Sequence, residues 1–269
     1  MLYDCIMFND ELDLLELRLN HHSFVDKFIL IESSKTYSGI PKPYYYAENK
    51  QRYEAFSDKI YHVMLDFPYQ GNHQWRYEHL QRNVLRGLSF SDKDVIIYTD
   101  ADEILRSFDT VREFLNSPND IMSLQMELGF YYFNVRVKKA DMPNAIYHLA
   151  SCFDSKWHMG KILRAKCLYQ CANLYQLREY QLWKPNRDII PNAGWHFSNI
   201  GSSKRIYDKL KAISHCNDPE FQDISVDNIE SRKENLLDPL GRDGVEFEVY
   251  DDLPKYLTDN REKFSEYFY

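Results

Sequence analysis

Two carboxylates separated by one residue, Asp100 and Asp102, follow directly on the apolar run Val95–Thr99, and Glu103 comes next. A carboxylate pair in a loop can hold a hard divalent cation such as Mn²⁺ or Mg²⁺, which prefers oxygen ligands and often completes its shell with phosphate oxygens. Such an ion neutralises a diphosphate and makes it a better leaving group. The same spacing recurs at Asp92 and Asp94, but that pair precedes the apolar run and reads as a solvated turn. For Asp100 and Asp102 the competing reading is a surface loop with a helix cap. A second candidate is His196 in Gly194-Trp195-His196-Phe197-Ser198. A histidine between two aromatics is either a core residue or, given a carboxylate pair elsewhere, a further metal ligand through a neutral ring nitrogen. Arg82 and Arg86 are four apart in a helical pattern and could reach a phosphate or an acceptor. Alternatively, Arg82 simply pairs with Glu78, which at i,i+4 spacing is worth ~0.3–0.5 kcal/mol.

These residues need elements to position them. Asp4–Phe8, Lys27–Ile31, Lys59–Leu65 and Asp94–Thr99 read as four strands. Between them lie a helix carrying Leu12, Leu15 and Leu19 on one face, with Asp10 as its cap, and a helix over Trp75–Leu88 stopped near Gly87. Strands alternating with helices imply a mostly parallel, Rossmann-like sheet flanked by helices, an α/β fold. Ligands of such sheets bind outside the carboxyl ends of the strands, which is where Asp100 and Asp102 fall. Further on, Ile121–Val137 reads as an aromatic-rich strand and Lys204–Ile213 as a helix; the last thirty residues read as surface turns and a short helix. No repeat or Gly/Ser-rich linker divides the chain, so one unit is expected over residues 1–269.

The composition narrows the function classes. Lys plus Arg is 33 against 41 Asp plus Glu, a net charge of −8, which disfavours binding to nucleic acid phosphates. The apolar runs are far shorter than the ~20 residues a transmembrane helix needs. The start of the chain lacks a basic, apolar leader, and no Asn-x-Ser/Thr acceptor occurs, so a soluble cytoplasmic protein is expected. Five cysteines are too few and unpaired in number for a disulfide framework. Cys167 and Cys171 could form half a zinc site, but nothing nearby completes it, and buried thiols are the plainer reading.

Taken together, several segments resemble a known family. They are Phe8–Leu19, Val25–Ser33, Ser38-Gly39-Ile40-Pro41-Lys42-Pro43, Gln81-Arg82-Asn83, Thr99–Ile104, Pro191–Ser198, Lys209-Leu210, Ser214-His215 and Leu253–Leu257. In this order they are similar to glycosyltransferase family 17, the β-1,4-mannosyl-glycoprotein 4-β-N-acetylglucosaminyltransferases and their microbial and viral relatives. The resemblance implies a GT-A fold, with a nucleotide-binding half (residues 1–105) and an acceptor half (residues 106–269). It implies transfer with inversion from a sugar nucleotide, UDP-GlcNAc by expectation, to a glycan hydroxyl. On that basis Asp100 and Asp102 would bind Mn²⁺ or Mg²⁺ and the donor diphosphate, His196 would be a metal ligand, and Glu32 would contact the uridine.

An inverting transferase needs one general base away from the metal pair. Between Ser155 and Arg187 there are seven Lys or Arg residues and one carboxylate, Glu179. Glu179 is therefore the first candidate, with Asp154 and Glu127 as others; the alternative is that Glu179 pairs with Arg178 or Lys184. The chain is rich in aromatics, with 21 Tyr, 16 Phe and 4 Trp, and most of them must be core. Tyr44-Tyr45-Tyr46, Trp75 and Trp157 are candidate sugar contacts, since ring faces stack on the apolar faces of sugars. Two other readings are a catalytically silent carbohydrate-binding protein of GT-A fold and a nucleotidyltransferase. The second usually has a Gly-rich phosphate loop, which is absent here.

Overall fold

The computed structural model describes residues 1–68, 74–140, 155–179 and 188–269. Strand β1 (Leu2–Phe8) leads into helix α1 (Leu12–His21), then β2 (Lys27–Ser33), α2 (Tyr45–Glu48) and β3 (Ile60–Leu65). Next come α3 (Gln74–Asn83), β4 (Val95–Asp100), β5 (Glu103–Leu105), α4 (Phe108–Asn116), β6 (Ile121–Tyr131) and β7 (Val135–Ala140). The remainder holds β8 (Lys156–Trp157), β9 (Lys161–Arg164), α5 (Tyr175–Arg178), β10 (Ile189–Ile200), α6 (Ser203–Ala212), α7 (Val226–Glu234), β11 (Val245–Val249) and α8 (Lys255–Asp259).

The strands β3, β2, β1 and β4 pair in parallel, in that order. They are the four expected from the sequence. Both faces of β2, β1 and β4 are buried, which is why these strands are nearly continuous apolar runs rather than alternating ones, while β3 lies at the edge with Tyr61 and Met64 exposed. Ile6, Phe8, Phe28, Leu30 and Ile97 face α1 through Leu15 and Leu19. Cys5, Met7, Ile29, Ile31 and Ile96 face the other side, against Leu85, Leu168 and Leu174. The α/β class expected from the alternation holds, with helices on both faces.

Beyond β4 the sheet stops being parallel. β9 runs antiparallel to both β4 and β6, β7 antiparallel to β6 and β11 to β7, and β10 runs parallel to β6. The expected single strand over Ile121–Val137 is a hairpin, broken where Tyr131 takes a φ of 66°. The tail expected as turns contributes β11 instead. The helix expected over Trp75–Leu88 ends at Asn83 and continues as a 3₁₀ turn over Val84–Gly87.

Among the described residues, no helix is long and apolar enough to cross a membrane.

Candidate active site

The loop after β4 is built from below. Arg18, on α1, has no exposed surface. Its guanidinium donates to Asp4 Oδ2 at 2.9 Å, to Asp4 Oδ1 at 2.5 Å, to the Thr99 hydroxyl, and to the Asp100 carbonyl at 2.5 Å. His22, also on α1, accepts from the Leu105 amide through Nε2 at 3.0 Å, so its Nδ1 donates to Asp4 at 2.8 Å. One buried network thus fixes both ends of the turn that carries Asp100 and Asp102. The paired cation and imidazole outweigh burial and hold the Asp4 carboxyl down at about 2.

β10 brings His196 to this turn. Pro191 has no N–H to give a ladder, and Asn192 takes a φ of 50°. The strand accordingly bulges between Ile190 and Gly194 before it re-enters pairing with β6. It then runs antiparallel to β5, with Gly194 opposite Leu105 and His196 opposite Glu103. The Phe197 amide donates to the Asp102 carbonyl at 2.8 Å. The result is His196 Nε2 at 3.4 Å from Asp102 Oδ1. The Trp157 ring lies 4.2 Å from the imidazole, and its Nε1 donates to Glu103 at 2.5 Å.

Asp100, Asp102 and His196 all line one cavity of about 750 Å³ at the carboxyl ends of the parallel strands. Three of the cations that line it contact the two aspartates. Arg178 Nη2 contacts Asp100 Oδ2 at 2.8 Å and Glu103 Oε1 at 2.7 Å. Arg82 Nη2 stands 2.8 Å from Asp100 Oδ1, an ion pair without a directed hydrogen bond. Lys209, on α6, donates to Asp102 Oδ2 at 2.6 Å. Burial works against ionising Asp100 and Asp102, but Arg178 and Arg82 on the first, and Lys209 and His196 on the second, hold both carboxyls below the usual range. Burial likewise opposes charging Arg178 and Lys209, and the neighbouring carboxylates reverse that.

Does this set suit a metal ion? Two carboxylates and an imidazole are the donors a hard to intermediate divalent cation takes. Asp100 Oδ1 and His196 Nδ1 are buried with no hydrogen-bond partner. Among the described residues, however, no three His, Cys, Asp or Glu side chains stand close enough to enclose an ion. These donors would hold an ion only together with substrate oxygens, as Mg²⁺ sites commonly do.

The remaining expectations sort by position. Glu179 lines the cavity, and no ion pair or hydrogen bond to its carboxylate is formed among the described residues. Arg178 spends its guanidinium on Asp100 and Glu103 instead. Burial pushes the Glu179 carboxyl up. Arg82 is buried between Glu78 and Asp100, so the pairing with Glu78 is formed, and it also lines the cavity. Arg86 is not brought to the cavity. A 3₁₀ turn advances faster round the axis than an α-helix, and this one carries Arg86 off the face of Arg82. Its Nε donates to the Leu168 carbonyl at 2.9 Å. Glu32 is not brought there either. It has no exposed surface, and its carboxylate accepts from the Tyr46 amide at 3.2 Å and contacts His62 at 2.9 Å. At that end of the cavity the wall is Asn9, Tyr37 and Lys42. Glu127 is held by Lys156 at 2.5 Å and Arg136 at 3.1 Å, away from the cavity. Asp154 and Cys152 lie outside the described residues. Of the aromatic candidates, Trp75 and Trp157 line the cavity; Tyr46 is core, stacked on Tyr53. Cys5, Cys167 and Cys216 are buried thiols.

Arg178, Lys209 and Glu11 line the cavity but were given no site role from the sequence. The Glu11 carboxylate accepts the Asn9 and Asp10 amides at 3.1 and 3.2 Å. No local spacing marks any of the three; Lys209 and Glu11 stand only within segments that carry the family resemblance, and Arg178 only as a possible partner of Glu179.

The family model of glycosyltransferase family 17 matches residues 1–171. No curated protein matches the chain. Among solved structures, TarS 1–349 of S. aureus is similar at 10% identity and a TM-score of 0.42, covering 89% of this chain and 70% of that one. Glucosyl-3-phosphoglycerate synthase from Mycobacterium tuberculosis, in complex with phosphoglyceric acid, has 13% identity and a TM-score of 0.39, covering 72% and 70%. The 2-C-methyl-D-erythritol 4-phosphate cytidylyltransferase of Francisella tularensis has 12% identity and a TM-score of 0.41, covering 79% and 99%. These likenesses are too distant to bear on the reaction of this chain.

Proposed function

The chain belongs to glycosyltransferase family 17 and is a glycosyltransferase, and we propose that it moves a sugar, N-acetylglucosamine in our reading, from a UDP-sugar to a glycan hydroxyl with inversion. The observation that carries this reading is the single cavity where the Asp100–Asp102 turn, His196, three cations and Glu179 meet.

In this reading residues 1–105 hold the nucleoside of the donor, and residues from both halves hold its diphosphate. The nucleoside lies at the carboxyl ends of β1 and β2, against Asn9, Tyr37 and Lys42, and its diphosphate lies beside Arg82, Arg178 and Lys209. Asp100, Asp102 and His196 would hold a divalent cation, Mn²⁺ or Mg²⁺, together with diphosphate oxygens. Such an ion, when bound, supplies charge neutralisation for the leaving group. Residues 106–269 supply the general base of the acceptor side. Glu179 takes the proton of the acceptor hydroxyl as that oxygen attacks the anomeric carbon. The bond from the anomeric carbon to the diphosphate breaks on the opposite face, and its electron pair leaves on the phosphate oxygen. Glu179 suits the role because it has no competing cation among the described residues, Lys184 lying outside them, and burial raises its proton affinity above that of an ordinary glutamate.

The test is a screen of UDP-GlcNAc, UDP-Gal, UDP-Glc and GDP-sugars for enzymatic hydrolysis with Mn²⁺ present. UDP-GlcNAc is expected to be turned over fastest. Turnover of a GDP-sugar alone would overturn the donor assignment, and turnover of none would overturn the reading.

A further inference from the structure

The cavity has a second end that the donor reading leaves unexplained. Helix α3 carries Trp75, Glu78, His79 and Arg82 at positions i, i+3, i+4 and i+7, which is one face. Arg82 closes that face at Asp100. Trp75 opens it, about 10 Å of helical rise further out. Gln81 Nε2 donates to the Ile31 carbonyl at 2.8 Å, so the Arg82 end is level with the strand ends and Trp75 stands beyond them.

Rings from the other half of the chain come to Trp75 there. Tyr175 of α5 meets it at 5.3 Å and 74°, and His215, following α6, at 4.5 Å and 86°. His79 leans on Tyr175 at 5.2 Å. The Ser214 hydroxyl donates to Glu78 Oε2 at 2.6 Å and fastens this segment to α3. Core aromatics of this protein, such as Phe133, Phe197 and Phe264, are at most 1% exposed. The four rings here are half-buried and line the cavity. His79 Nε2 is enclosed without a hydrogen-bond partner. A cluster of half-open rings with one unused ring nitrogen suits a ligand with an apolar face and hydroxyl groups at its rim.

We propose that Trp75, His79 and Tyr175 form the acceptor seat: a pyranose lies with its C–H face on the Tyr175 ring and its edge against Trp75, which stands at 74° to that ring, and shares a hydroxyl with His79 Nε2. The electron-rich ring faces attract the weakly positive C–H groups, and burial of both apolar faces adds to this. Tyr175 and Glu179 are four residues apart, across the single turn of α5. A sugar on Tyr175 therefore presents a neighbouring hydroxyl to the Glu179 carboxylate. This rests on the transferase reading and adds to it which surface takes the acceptor and by which chemistry.

Saturation-transfer NMR tests the seat, with the methyl glycosides of mannose, glucose, galactose and N-acetylglucosamine as probes. The native protein is expected to transfer saturation to the ring C–H protons of at least one of them. Trp75→Ala and Tyr175→Ala should each weaken that glycoside about tenfold, and Trp75→Phe should restore most of the loss. Thermal stabilisation by UDP with Mn²⁺ present, measured on the same samples, reports the donor end and the fold. If UDP stabilises the native protein but no methyl glycoside is saturated, or if saturation survives both alanine substitutions, the acceptor seat is overturned. If UDP does not stabilise the native protein, it is the transferase reading that fails.

Discussion

Asp102 and Glu179 face the same cavity with opposite electrostatics. Lys209 and His196 overcome the burial of Asp102 and keep it ionised well into acid, as Arg178 and Arg82 do for Asp100. Glu179 has only the burial, and its carboxyl titrates above the ordinary 4.5. The two should separate in a pH study. Donor binding needs Asp100 and Asp102 ionised, and neither carboxylate should limit it at about pH 4 or above, the ordinary carboxylate value. Turnover needs Glu179 deprotonated, so its acidic limb should lie above 4.5. A turnover limb that coincides with the loss of donor binding would take the base role from Glu179. The Glu179→Gln variant should lose transfer by about 10²–10⁴-fold, the span of a general base, with donor affinity unchanged. Near-native turnover in that variant would end the assignment.

At the scale of elements, the site depends on two crossings. β5 must lie against β10, and α1 must hold the turn from beneath. Gly194 permits the first. A Cβ built there would stand 2.0 Å from the Ile104 carbonyl oxygen, a backbone atom that cannot step aside. Gly194→Ala should therefore cost about 1–3 kcal/mol or more and pull His196 away from Asp102, seen as a lower melting temperature with weakened UDP binding. An unchanged melting temperature would show that β10 does not approach β5 this closely. The second crossing is the Asp4–Arg18–His22 network. The folded carboxyl of Asp4, at about 2 against an ordinary 3.8, is depressed. The stability it contributes is complete above about pH 4 and is lost as pH falls through the folded value. The shift amounts to about 2 kcal/mol. Replacing Arg18 by Met would leave Asp4 buried beside only His22, at a cost of about 3–5 kcal/mol in urea unfolding.

This scale also explains what could be read in the sequence. β1 to β4, α1 and α6 were legible because each is a local pattern: a short apolar run, or an apolar stripe with helical spacing. Gly194–Ser198 was recognisable as a motif but not as a strand, because Pro191 and Asn192 break the local pattern and its partners β5 and β6 are distant in sequence. Asp100 and Asp102 were legible through their place after β4. Arg178 and Lys209 were not, since nothing near them in sequence announces the carboxylates they reach across the cavity. Arg82 and Arg86 looked equivalent under a 3.6-residue period and ceased to be so where the helix tightened at Val84.

For the whole molecule, one sheet runs from β3 through β4 and β6 to β11, and the cavity lies where the parallel part meets the mixed part. Strands from both sides of residue 105 thus share one framework around the ligand. A nucleotide bound there should stabilise the entire fold by about 2.7 kcal/mol at a hundredfold excess over its dissociation constant. Because Asp100, Asp102 and His196 cannot by themselves enclose an ion, UDP and Mn²⁺ should each strengthen the binding of the other. Titration calorimetry of UDP with Mn²⁺, with EDTA, and with Mn²⁺ on an Asp102→Asn variant tests this most directly. The account predicts binding that is tight only for the native protein with Mn²⁺ and at least tenfold weaker in the other two cases. UDP that fails to bind the native protein at all, or binds it equally well in EDTA and after the substitution, would contradict it.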